Sequence, residues 1–107
     1  MSDVENSEAR QEEQDFPLPP ASFTFLTLSL RAQAEMQLGL MAYGDEKPEP
    51  NLPLARHTID MMAVLQEKTK GNLTIEEQRL LENSLTELRF RFVQVSEETA
   101  KATSQKA

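Results

Sequence analysis

The sequence predicts an all-α chain of three helices, a long N-terminal helix followed by an antiparallel helical hairpin, with disordered tails. Three observations carry this. Apolar residues recur at three- and four-residue spacing in three segments. A Thr74-Ile75-Glu76-Glu77 capping box follows Gly71 closely, so one helix ends and another begins within a few residues. GDEKPEPNLP, 44–53, gathers three of the six prolines and reads as a loop. The competing architecture is α+β, because FTFLTLSL (23–30) and RFRFVQV (89–95) nearly alternate as strands do.

Residues 1–15 contain six acidic side chains against Arg10, which accounts for −5 of the net charge of −7. With almost no large apolar groups, this segment is expected to stay disordered. Phe16-Pro17-Leu18-Pro19-Pro20 then imposes an extended approach, and the tail is taken to span 1–20. A proline-dependent ligand motif is a further use of such a segment, but stopping a helix is reason enough for it.

The helical domain is expected over 21–96. Ser22 is the N-cap of the first helix. Within Ser22 to Tyr43, residues Phe23, Leu26, Leu30, Ala34, Leu38 and Met41 form one stripe at helical spacing. Phe25, Leu28, Ala32, Met36 and Leu40 cover most of the opposite side. Only a narrow polar strip with Thr24, Arg31 and Glu35 is left. A helix apolar on both sides must be buried on both, inside a bundle or between subunits.

Asn51 caps the second helix, with Pro53 in its first turn. Its stripe is Leu54, Thr58, Met61, Met62 and Leu65, widened by Ala55 and Ile59. It ends in KTKGN, where Lys68 and Lys70 suit the negative end of the dipole and Gly71 the left-handed position. The third helix carries Leu81, Leu85, Leu88, Phe92 and Val95 on one side, leaving Leu80 and Phe90 off the stripe. Residues 97–107 are expected to fray into a flexible polar tail.

Composition excludes several classes of function. The chain has no cysteine, so thiolate chemistry and disulfides are ruled out. The first residues lack the basic and apolar regions of a secretory signal, so a cytoplasmic location is expected. Arg31 and Glu35 interrupt the apolar run, which argues against a membrane span. Between Ser22 and Ser96 the charge is only −2, which argues weakly against a nucleic-acid surface.

Sites with chemistry are scarce. His57 and Asp60 stand three apart but lack the further ligands a metal requires. Glu76, Glu77, Glu82 and Glu87 read as a solvated face rather than an acid–base pair. Asn72-Leu73-Thr74 matches a glycosylation sequon, incidental without a secretory signal. Met36, Met41, Met61 and Met62 suit core filling better than an adaptable groove. The expectation is therefore a non-enzymatic protein without cofactor or metal.

The segments PPASFTFLTLSLRAQAEMQLGLM and LPLARHTIDMMAVLQEKTKGNLTIEEQRLLENSLTELRFRFVQV, with the short acidic loop between them, resemble a bacterial family known as domain of unknown function 1844. The run LQEKTKGNLTIEEQRLLENSL is the most specific part of that resemblance. It implies a small, cytoplasmic, bacterial helical protein with no assigned activity, cofactor or catalytic residue.

On the residues themselves, about 75 ordered positions barely offset their ordering entropy, and association is an ordinary remedy. The reading is an interaction module that forms a homodimer or higher assembly, or meets another protein. Its predicted contact comprises Phe23, Phe25, Leu26, Leu28, Leu30, Met36, Leu38 and Met41. The alternative is a small regulatory subunit or nucleic-acid-associated regulator using Arg79, Arg89 and Arg91, which salt-dependent retention on DNA or RNA would distinguish.

Overall fold

Capping chemistry decides where each helix starts. In a computed structural model that describes residues 17–41, 44 and 48–106, the helices are α1 (Phe23–Gln37), α2 (Leu52–Lys68) and α3 (Ile75–Lys106). The Ser22 side chain accepts from the Phe25 amide at 3.0 Å, and Asn51 Oδ1 accepts from the Leu54 amide at 3.1 Å. At α3 the capping box closes reciprocally, as expected. The Glu77 amide donates to Thr74 Oγ1 at 3.1 Å, and Glu77 Oε1 accepts from the Thr74 amide at 2.8 Å. Among the described residues there is no strand, so 23–30 and 89–95 are helical and the α+β alternative falls away.

Two helix ends differ from the expectation. α1 stops at Gln37 rather than running on toward Tyr43. Gly39 takes φ +74°, its amide donates to the Met36 carbonyl and the Leu40 amide to that of Glu35, both at 3.0 Å. This is a Schellman motif, in which a glycine in the left-handed region lets the chain reverse while satisfying the terminal carbonyls. The return path is tight, since a Cβ on Gly39 would lie 2.7 Å from the Pro48 carbonyl oxygen. Conversely, α3 continues past Ser96 to Lys106. The segment EETAKATSQK contains neither glycine nor proline and is rich in helix formers, so nothing in it terminates the helix. The expected disorder of residues 1–15 lies outside the described residues.

The three helices pack on one another pairwise around Ala34, Leu38, Ala55, Ile59, Met62, Leu81, Leu85, Leu88 and Val95. The α3 stripe matches its sequence pattern, with Phe92 partly buried against the core. On α2 the buried side is Ala55, Thr58, Ile59 and Met62, whereas Leu54 and Met61 face out. On α1 the core side keeps Phe23, Leu30, Ala34 and Leu38 of the expected stripe, but Thr27 is buried in place of Leu26.

Polar contacts accompany that packing. Thr27 returns its hydroxyl to the Phe23 carbonyl at 2.9 Å, so it can be buried without an orphaned donor. Thr58 donates to Gln37 Oε1 at 2.6 Å, tying α2 to the end of α1. Arg31 donates to Glu87 at 2.8 Å and lies 3.7 Å from Glu35, tying α1 to α3. Ser84, on α3, is fully buried and its Oγ has no hydrogen-bond partner among the described residues. Such an orphaned hydroxyl costs stability.

Candidate functional site

Clefts are where chemistry is usually seated. One, of about 350 Å³, lies between the C-terminal turns of α3 and the chain reversal after α1, lined by Leu38, Leu40, Pro50, Val95 and Thr99 with Glu49 and Glu98 at its edge. Another, about 310 Å³, sits at the tip of the α2–α3 hairpin beside Glu67, Lys70, Gln78 and Glu82. A third, about 250 Å³, runs along the α2–α3 seam beside Arg56, Asp60, Arg89 and Phe92.

The titratable residues singled out in the sequence do not converge. Asp60 lies 4.0 Å from Arg56 across one helical turn, with both side chains about seven-tenths exposed, an arrangement worth little in water. His57 is exposed on α2. Among the described residues no group of three or more potential ligands could hold a metal ion. Glu77 is committed to the α3 cap, Glu82 accepts from Gln78 and Glu87 from Arg31.

Arg79, Arg89 and Arg91 do not form one patch. Arg89 borders the α2–α3 seam, while Arg91, two residues on and about 200° round the helix, points to the other flank. Arg79 stands ten residues, or about 15 Å, further down the axis from Arg89. No helix among the described residues is long and apolar enough to cross a membrane.

What the structure does present is apolar surface. Of the eight residues predicted for a subunit contact, Leu38 is fully buried in the chain's own core, so it is removed from that set. Its position at the α1 C-cap turns it inward once the helix ends at Gln37. Phe23 and Leu30 are partly buried against the same core. The other five remain open: Phe25 at 42 %, Leu26, Leu28 and Met36 each at 44 %, and Met41 at 37 %.

Their arrangement follows from helical spacing. Thr27, Leu30 and Ala34 take the core side of α1. Phe25, Leu28, Ala32 and Met36 fall about half a turn away, on the side facing away from α2 and α3. Sequence reasoning overlooked α2, where Leu54, Met61 and Val64 are also open. The available signal was Leu54 and Met61 lying at the margin of an apolar stripe too wide for one buried face.

A family model described as Domain of unknown function (DUF1844) matches residues 20–94, which covers all of α1 and α2 and α3 as far as Gln94. No curated protein and no solved structure matches the chain.

Proposed function

We propose that this chain, which belongs to the Domain of unknown function (DUF1844) family, is a non-enzymatic interaction module that associates with its own copy through the outward face of α1. One observation carries the reading. The side of α1 opposite the core consists of Phe25, Leu28, Ala32 and Met36, with the three large residues 42–44 % exposed. On a surface helix that side would normally be polar. A contiguous exposed apolar stripe is a common mark of a contact site.

The experiment is a mass measurement in solution by light scattering at micromolar concentration, on the full chain and on Leu28→Glu. The full chain is expected at twice the 12.1 kDa of one copy, and the variant at 12.1 kDa with its helical circular dichroism retained. Leu28 lies outside the core, so the substitution tests association rather than folding. A well-folded monomeric parent chain would refute the proposal.

A further inference from the structure

Resting on that reading, we infer that the contact between copies is a two-helix face, in which the α1–α2 layer of one chain packs on the α1–α2 layer of a second, with both α3 helices on the outside.

The seam between α1 and α2 is fixed by the Thr58–Gln37 hydrogen bond, with donor and acceptor 2.6 Å apart. Spacing then places the neighbours of each partner. Leu54 and Met61 lie one turn either side of Thr58 and share its α1-facing side. Gln33 and Leu26 stand four and eleven residues before Gln37, on the α2-facing side of α1. Leu54, Met61 and Leu26 are 44 %, 49 % and 44 % exposed, so these columns flank the seam at the surface rather than filling it. Val64, 57 % exposed and one turn beyond Met61, extends the patch along α2. The opposite side of the molecule differs. On the described part of α3 the exposed large apolar residues are Ile75, Phe90 and Val93; Phe90 and Val93, 61 % and 53 % exposed and one turn apart, form a pair, while Ile75 stands fifteen residues from Phe90, so the apolar area there is smaller.

Area decides between a one-helix and a two-helix contact. A standard interface takes about 800 Å² from each partner, roughly 60 % of it apolar, so about 500 Å² of apolar surface is required. On the ~200 Å² scale of a large apolar residue, the exposed fractions of Phe25, Leu28 and Met36 supply only about 260 Å². Leu28 stands about 200° from Leu26 and lies at the edge of the two-helix face, whereas Phe25 and Met36 together with Leu26, Leu54, Met61 and Val64 supply about 560 Å². The α1 stripe alone falls short, and the α1–α2 face suffices. Ser29 and Gln33 on α1, and His57 and Lys68 on α2, provide the polar share of such a face. A second copy is the occupant this favours, because a face of this extent meeting itself about a two-fold axis closes the assembly at two.

The test uses single charges at exposed positions of the full chain: Leu28→Glu on the α1 stripe, Met61→Glu on the α2 column and Phe90→Glu on the far side of α3. Dimer dissociation constants come from sedimentation, and helical circular dichroism checks the fold. Met61→Glu is expected to weaken the dimer at least tenfold, as Leu28→Glu does, while Phe90→Glu leaves it within twofold of the parent. Dissociation by Leu28→Glu with Met61→Glu unchanged would overturn the two-helix face but leave α1-mediated association standing. A monomeric parent would remove both. Weakening by Phe90→Glu, or parent masses growing beyond two copies, would also overturn the closed α1–α2 face.

Discussion

Replacing Gly39 by alanine tests the sharpest feature of the fold, the reversal that ends α1, with Gly71→Ala as its internal control. Both glycines sit in the left-handed region, at φ +74° and +87°. An alanine in that region costs about 1–2 kcal/mol, so each variant loses at least that much. Surroundings separate them. Nothing lies within 4 Å of a Cβ on Gly71, whereas on Gly39 it would meet the Pro48 carbonyl oxygen at 2.7 Å and the Pro50 nitrogen at 3.3 Å. Those atoms are backbone and cannot rotate away as a side-chain tip could. Relieving the overlap means moving the segment that delivers Asn51 to its hydrogen bond with the Gln37 carbonyl, 2.7 Å long. Overpacking of this kind adds about 1–3 kcal/mol, for a total of about 2–5 kcal/mol at Gly39 against about 1–2 at Gly71. At about 4–8 °C per kcal/mol for a domain of this size, thermal melts resolve the difference. The readout is far-UV circular dichroism during thermal and urea unfolding at one fixed chain concentration, since association would itself move the midpoint. If Gly39→Ala costs no more than Gly71→Ala, the segment 48–50 does not sit over Gly39 and the account of how α1 ends is wrong.

Two further substitutions test polar groups. Ser84→Ala removes a buried hydroxyl with no partner among the described residues and installs a better helix former, so a stabilisation of about 1–2 kcal/mol and a higher melting temperature are expected. A loss of stability would mean that the hydroxyl is hydrogen-bonded in solution. Thr74→Ala opens the capping box at the start of α3 and should cost about 1 kcal/mol in urea denaturation. An unchanged midpoint would show that the cap contributes nothing to the folded state.

Features that depend on a few neighbouring residues were legible. Ser22, Asn51 and Thr74 cap the helices they were expected to cap, and Gly71 takes the left-handed conformation at the hairpin turn. Leu81, Leu85, Leu88 and Val95 form the buried side of α3 because its periodicity is unambiguous. The end of α1 was also encoded locally, in the Leu38-Gly39-Leu40 sequence of a Schellman motif, although the apolar pattern running on to Met41 masks it. Similarly, the absence of any stop signal after Ser96 is what carries α3 to Lys106.

Thus the sequence by itself determined the helical class, the helix starts, the hairpin turn and the excess of apolar surface on the first helix. Each rests on contacts within about four residues, where backbone geometry leaves few options. The tertiary structure decided which of two apolar sides of α1 became core. It chose the side with Thr27 and Ala34 and left Phe25, Leu28 and Met36 outside. That choice depends on how α1 rests on two other helices at once, fixed by Arg31 reaching Glu87 and Thr58 reaching Gln37. Partners 56 and 21 residues apart leave no trace in helical periodicity, so the exposed face that defines the candidate site emerges only when the three helices are packed.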